Sequence, residues 1–106
     1  MKKLLPHIVF GFFLLTAPAW AINEDELKAA NNYHTQQSYA LAAQAYLPLL
    51  DEKANDATAR EVRFKWADSI IRGKDPVQAE KATKLLQELI AGKDHDRWWA
   101  EGGVTL

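Results

Sequence analysis

Apolar side chains recur at three- and four-residue spacing along most of residues 22–91, which is the spacing of one face of an α-helix. No alternating run of β-branched residues, which would predict a strand, breaks this pattern. Alanine, leucine, glutamate, lysine and glutamine are abundant, whereas glycine and proline are scarce. The pattern therefore predicts an all-α fold of four helices joined by short loops, and a fifth element that begins in RWWAEGGVTL.

Local start and stop signals predict the first hairpin. The first helix should begin after Asn23, an N-cap residue that three acidic residues follow, and should end at the break 35–37. Ser38 can cap the second helix, and Pro48 should bend or tighten its last turns. The expected apolar stripe of this second helix is Leu41, Ala42, Ala45, Tyr46, Leu49 and Leu50.

Similar signals predict a second hairpin. The third helix is expected over 57–72 and should end at Gly73, because glycine commonly ends helices. Asp75 and Pro76 then read as an N-cap followed by proline at the first helical position. The fourth helix is therefore expected over 76–91.

Small and aromatic residues in the first hairpin form a recognisable motif, which consists of Ala30, Tyr33, Tyr39, Ala42 and Tyr46. This motif resembles the tetratricopeptide repeat (TPR), in which small residues let the two helices of a hairpin approach closely. The second hairpin matches more weakly, through Ala67, Ala82 and Leu86. Its longer turn also resembles the Sel1-like relatives of the TPR.

The last residues continue the series, with Trp99 as the tryptophan of a third repeat and Gly103 as its small residue. Ala30, Ala67 and Gly103 recur at intervals of 37 and 36. The resemblance implies a short solenoid over residues 22–106, with two antiparallel hairpins and a truncated third that packs back on the fourth helix. An unrelated up-and-down bundle of four helices is the alternative.

The first 21 residues, MKKLLPHIVFGFFLLTAPAWA, have the features of a secretory signal peptide. Two lysines precede an apolar run, and Ala19 and Ala21 provide the small-x-small pattern of a signal peptidase site. An uncleaved anchor is the alternative, although the run is shorter than the ~20 residues of a spanning helix. We therefore expect an exported protein, periplasmic or secreted, with one TPR-like domain at 22–106.

Cleavage after Ala21 would leave eleven basic and fourteen acidic residues, a net charge of −3. This balance argues against nucleic acid or an anionic membrane as a partner. The chain contains no cysteine, so disulfides, thiolate chemistry and a lipid anchor on a cysteine are excluded.

No catalytic, cofactor or metal motif stands out. Asp94, His95 and Asp96 are adjacent in a linker, where three neighbouring side chains cannot all point at one ion, and a solvated linker is expected instead. The third helix carries both signs of charge, and we expect a mixed, solvated face there, made of Arg60, Glu61, Arg63, Lys65, Asp68 and Arg72.

The family resemblance implies a concave groove lined by the first helix of each hairpin. Carried over position by position, the groove candidates are Leu27, Asn31, His34, Phe64, Asp68 and Ile71. Leu27 and Phe64 stand where the family's clamp for a C-terminal carboxylate needs lysines, so that ligand class is not expected. These two residues are also candidates for the core.

These observations favour a non-catalytic module that binds a protein or peptide, without a cofactor. A helical-repeat array needs about three units, so the chain is alternatively the N-terminal piece of a larger exported protein. Another alternative is a small helical-bundle accessory subunit of a cell-envelope enzyme or assembly complex.

Overall fold

A computed structural model describes residues 22–106, and within this range the chain is helical and contains no strand. The all-α prediction is confirmed. The predicted signal peptide, with Ala19 and Ala21, lies outside the described residues. The elements are α1 Glu24–Thr35, α2 Tyr39–Tyr46, a 3₁₀-helix Leu47–Leu49, α3 Ala57–Arg72, α4 Ala79–Ala91 and α5 Arg97–Thr105.

Each helix packs against the next one along the chain. Beyond these consecutive pairs, α5 also contacts α3. The core includes six residues of the sequence motif, all without measurable exposure: Ala30, Ala42, Tyr46, Ala67, Ala82 and Leu86. Of the other two tyrosines of the motif, Tyr39 is half-buried and Tyr33 is exposed.

Side-chain caps occur on α1, α3 and α5. Asn23, Asp56 and Asp96 each accept a hydrogen bond from a backbone N–H in the first turn of the helix that follows. The predicted Asn23 cap is therefore confirmed. Ser38 precedes α2, but its hydroxyl makes no capping bond, and α4 also begins without a side-chain cap.

The turns after α1 and α3 have the same backbone conformation, 37 residues apart. The N–H groups of Gln37 and Ser38 donate to carbonyls three and five residues earlier, and those of Lys74 and Asp75 do the same. Gln37 and Lys74 both have positive φ angles, 63° and 57°. Each turn is thus a Schellman ending in which a non-glycine residue occupies the left-handed position.

Gly73 ends α3 as predicted, but for a different reason. Its φ is −78°, which any residue can adopt, and the left-handed residue is Lys74. A Cβ atom on Gly73 would lie 2.8 Å from the carbonyl oxygen of Ser69 and 3.2 Å from the Cβ of Tyr39. The glycine therefore permits a close approach between the end of α3 and the start of α2.

The second and fourth helices differ in detail from the sequence pattern. Pro48 lies within the 3₁₀-helix, which is the tightening that proline was expected to cause. Leu41, predicted to face inward, is about half exposed. The fourth helix begins at Ala79 rather than at Pro76, because the Asp75 carboxylate accepts the N–H of Val77 and a turn precedes the helix.

Arg60 contradicts the prediction of a solvated charged face on α3, because it is only 5% exposed. Its Nε and Nη2 atoms donate to the two carboxylate oxygens of Asp96, over 2.8 and 3.0 Å. The hydrogen bond from Arg60 lowers the pKa of Asp96 to about 2. Since Asp96 also caps α5, this pair attaches α5 to α3.

Arg63 is also buried, with 7% exposure, and it holds the loop before α3. Its Nη1 donates to the carbonyl oxygens of Asp51 and Ala54. Burial lowers the pKa of this guanidinium, because desolvation disfavours its charged form. The expected solvated face is thus wrong for Arg60, Arg63 and Asp68, and each has polar partners from outside its own turn.

The two tryptophans near the end of the chain contact different helices. The Trp99 Nε1 donates to the Ile90 carbonyl of α4 over 2.9 Å. The Trp98 ring instead stacks on Phe64 of α3, with ring centroids 5.6 Å apart. α5 is therefore packed against both preceding helices, and only Trp99 follows the expectation of packing on the fourth helix.

The close contact of α5 is made by Gly102 and not by Gly103. A Cβ on Gly102 would lie 3.4 Å from Ile90 Cγ2 and 3.5 Å from Leu89 Cδ2, whereas nothing lies within 4 Å of one on Gly103. Gly103 is exposed, in contrast to its counterparts in the predicted series, Ala30 and Ala67. The reason is that no element of residues 22–106 covers this side of α5.

Candidate functional site

A network of side chains connects α1, α3 and α5. We use the name odd-helix face for the surface formed by Asn31 and His34 on α1, Lys65 and Asp68 on α3, and Trp98 and Thr105 on α5. Three of its contacts join residues that are 34 positions apart: Asn31 to Lys65, His34 to Asp68, and Phe64 to Trp98. The same offset therefore relates α1 to α3 and α3 to α5.

Asp68 is the centre of this face and is only 3% exposed. Its carboxylate accepts hydrogen bonds from His34 Nε2 at 2.8 Å, Arg72 Nε at 2.7 Å and Thr105 Oγ1 at 2.9 Å. Burial favours the neutral acid, but the three hydrogen bonds outweigh it and the pKa of Asp68 is lowered. An ionised carboxylate thus joins three helices.

Lys65 forms a second set of contacts beside Asp68. Its ammonium donates to Glu61 at 2.8 Å and to Asn31 Oδ1 at 3.2 Å. The same Asn31 oxygen accepts the hydroxyl of Tyr46, which reaches it from α2. Burial of this hydroxyl, with the nearby charges of Glu61 and Asp68, raises the pKa of Tyr46.

Trp98 supplies the aromatic surface of the face. Its indole ring stacks on Phe64, and two cations lie near this ring: Arg97 Cζ at 4.9 Å and Lys65 Nζ at 5.5 Å from the centroid. Trp98 itself stays half-buried, while the Arg97 side chain is largely exposed. This arrangement can bind a partner by stacking, cation–π contacts and hydrogen bonds.

The structure brings only part of the predicted groove together as an accessible surface. Asn31 and His34 lie on the odd-helix face and remain half-buried. Phe64 is a core residue under Trp98, and Leu27 and Ile71 pack against the core while partly exposed. Asp68 lies on this face, but its oxygen atoms are already used by three donors.

The predicted groove does not include Lys65, Trp98 and Thr105. The 34-residue offset that joins Asn31 to Lys65 and Phe64 to Trp98 is visible only in the packed structure, because the small residues of the sequence series recur at 37 and 36. Thr105 lies 37 residues after Asp68, which lies 37 residues after Asn31, so this interval of the series is the signal that could have placed Thr105 on the face. Thr105 donates to the carboxylate and not to the imidazole of His34, so the Asp–His pair does not activate this hydroxyl.

Two residues of the linker 94–96 make defined contacts. Asp96 is held by Arg60, and the His95 ring stacks on Trp99 with centroids 4.3 Å apart. Within residues 22–106, no group of three or more histidine, aspartate or glutamate side chains is placed to hold a metal ion. In the same range, no helix is long and apolar enough to cross a membrane.

Comparison with protein-family models, with curated proteins and with solved structures finds no match to this chain.

Proposed function

We propose that this chain is an exported, non-catalytic helical-repeat module of the TPR type that binds a protein or peptide through its odd-helix face. The observation that carries the proposal is the 34-residue offset of the contacts between α1 and α3 and between α3 and α5. Units that stack at a constant offset present equivalent side chains along one continuous surface, which is how repeat proteins bind extended partners.

Two other regularities support the repeat. The Schellman turns after α1 and α3 are 37 residues apart and share their hydrogen bonds and their left-handed residue. Buried residues of α2 and of the 3₁₀-helix after it recur on α4 at an offset of 40: Ala42 with Ala82, Tyr46 with Leu86, and Leu49 with Leu89. An unrelated four-helix bundle has no reason to repeat both a turn and a core pattern.

The partner surface should centre on Trp98, because its ring is the main aromatic group of the face that is not fully buried. Arg97 and Lys65 flank this ring, and Asn31 and His34 extend the polar surface along α1. Glu61 neutralises Lys65, so the surface has no strong preference for one sign of charge. An extended segment with alternating apolar and polar side chains fits this chemistry.

Export is part of the proposal, and it is supported by the signal-like sequence of residues 1–21. A periplasmic extract is therefore the proper source of the partner. The protein, purified after expression of the full chain, would be immobilised and exposed to this extract, and retained proteins would be identified by mass spectrometry. We expect a specific partner that the Arg97→Ala/Lys65→Ala variant no longer retains.

A matched control is Leu41→Ser, because Leu41 is exposed on α2 and lies outside the odd-helix face. This variant should retain the partner as the parent protein does. Equal recovery by all three proteins would exclude the odd-helix face, and no recovery by any of them would contradict the binding function.

A further inference from the structure

A cavity of about 200 Å³ lies where α2, α3 and the turn before α4 meet. Its walls include the apolar side chains of Ala40, Ala43, Leu47 and Ile70. This volume is smaller than the roughly 300–1,000 Å³ of sites for drug-sized ligands, so the cavity can take a single long side chain. None of the residues that line it belongs to the odd-helix face.

Trp66 lines this cavity and has a hydrogen-bond donor to offer there. Its side chain is only 1% exposed. Among residues 22–106, no acceptor receives a hydrogen bond from its indole N–H, in contrast to that of Trp99. No fully enclosed side-chain nitrogen or oxygen of these residues lacks a partner, so the Trp66 N–H must reach open space. Because Trp66 lines the cavity, this N–H can donate to a group inside it.

Asp75 is the one charged residue in the lining of the cavity. Its carboxylate is half-buried and accepts the N–H of Val77 over 3.0 Å, but within the described part of the chain it forms no salt bridge. A cation does lie near Trp66, since the Lys81 ammonium is 5.6 Å from the centroid of its ring. That ammonium pairs with Glu52 at 3.1 Å, so the charge of Asp75 is left for a cation from outside.

The two polar ends of the cavity are well separated. Trp66 and Gly73 both line it and are seven positions apart, which is about 10 Å along a helix, and Asp75 follows Gly73. Ser69 lies between them, and its hydroxyl donates to the Lys65 carbonyl while its own oxygen can still accept. An occupant that satisfies both ends is therefore extended, with a hydrogen-bond acceptor, an apolar stem and a cation in that order.

We propose that this cavity binds a lysine side chain of a partner protein, with the ammonium on Asp75 and the backbone carbonyl of that lysine on the Trp66 N–H. The four methylene groups of the lysine lie against the apolar walls, as lysine stems commonly do on apolar surface. One oxygen of Asp75 already accepts the N–H of Val77, which favours a compact ammonium over a guanidinium that needs both oxygens.

The test is an NMR titration of ¹⁵N-labelled protein, purified after expression of the full chain, with N-acetyl-lysine methylamide. The indole N–H signals would be assigned by through-bond experiments. We expect the Trp66 signal to move downfield and to saturate with a dissociation constant of about 1 mM, as for other ligands of this size. N-acetyl-norleucine methylamide has the same stem without the ammonium and should give no saturable shift at the same concentrations.

Asp75→Asn removes the charge but keeps an oxygen for the N–H of Val77, so the turn should persist. This variant should bind the lysine derivative at least about tenfold more weakly. The matched control is Asp51→Asn, because Asp51 also accepts an N–H two residues later, that of Lys53 at 2.9 Å, and lies outside the cavity. It should bind as the parent protein does, and so should the Arg97→Ala/Lys65→Ala variant, because this site is separate from the odd-helix face.

Three results would overturn the inference. The first is the absence of a saturable shift of the Trp66 indole N–H with the lysine derivative. The second is equal binding of the lysine and norleucine derivatives, or equal binding by the parent protein and Asp75→Asn. The third is the same weakening in Asp51→Asn as in Asp75→Asn, which would show that the loss does not come from the charge in the cavity.

Discussion

His34 Nε2 donates to Asp68 Oδ2 over 2.8 Å, although the two residues are 34 positions apart on α1 and α3. The carboxylate also accepts from Thr105 on α5, so one buried side chain connects three helices that are not consecutive in the chain. Contacts of this kind stabilise the stacking of hairpins and also determine the shape of the odd-helix face.

Asp68→Asn should destabilise the protein by about 2 kcal/mol, because the amide cannot accept from three donors in the same geometry. The effect is smaller than for a fully buried ion pair, since Arg72 is half exposed and water can solvate it. Urea unfolding followed by circular dichroism would measure the change. Glu80→Gln, at an exposed site on α4, should stay within about 0.5 kcal/mol, and equal effects of the two substitutions would contradict the role of Asp68.

Stability should fall at acidic pH. The pKa values of Asp68 and Asp96 are lowered in the folded protein, that of Asp96 to about 2, whereas an unfolded aspartate titrates near 3.9. A depressed folded pKa stabilises the protein above the unfolded pKa, and this stabilisation is lost as pH falls through the folded pKa. The urea midpoint should therefore decrease between about pH 4 and pH 2.

The Asp96→Asn variant tests the origin of this pH dependence. It should be less stable than the parent at pH 7, because Arg60 loses its ionised partner. Its midpoint should change less between pH 4 and pH 2. An identical pH dependence in both proteins would show that other carboxylates are responsible.

The repeated turn predicts two stabilising substitutions. Gln37 and Lys74 adopt left-handed φ angles that disfavour side chains, and glycine relieves this cost. Gln37→Gly and Lys74→Gly should each stabilise the protein by about 0.5–1 kcal/mol. Gln36→Gly is the matched control: its φ is −81°, so glycine there should give no gain, and a similar gain at all three positions would argue against the assigned turn.

The helix bounds could be predicted where local signals decide them. α3 spans Ala57–Arg72, as expected, because Asp56 caps its first turn and Gly73 follows its last residue. The start of α4 could not be predicted, because Asp75 uses its carboxylate to hold a turn before the helix rather than the helix itself. A sequence signal of N-cap followed by proline does not distinguish these two outcomes.

The burial of Arg60 and Arg63 could not be predicted from the charge pattern of α3. Their partners lie far away in the chain or are backbone carbonyls: Asp96 is 36 residues from Arg60, and Arg63 binds the carbonyls of Asp51 and Ala54. The same holds for the odd-helix face. The family pattern predicts Asn31 and His34, but their partners follow from the offset between hairpins, which only the packed structure shows.

Ala42→Glu should unfold the protein or destabilise it by at least about 3 kcal/mol, because the site has no space for a larger side chain or for a charge. Thermal unfolding measured by circular dichroism would detect the loss. Ala40 lies on the exposed side of the same helix, so Ala40→Glu should be tolerated. A stable Ala42→Glu protein would show that the packing of α2 against α1 and α3 is wrong.

Substitutions of the two adjacent glycines of α5 should change the stability of the protein in opposite directions. Gly102 lies against Ile90 and Leu89 of α4, so Gly102→Leu should overpack this contact and destabilise the protein by about 1–3 kcal/mol. Gly103 is exposed within the same helix, and Gly103→Ala should stabilise the protein by about 0.5–1 kcal/mol, since alanine restricts the unfolded chain. Urea unfolding of both variants would measure these changes, and destabilisation by Gly103→Ala would mean that Gly103, and not Gly102, makes the close contact of α5.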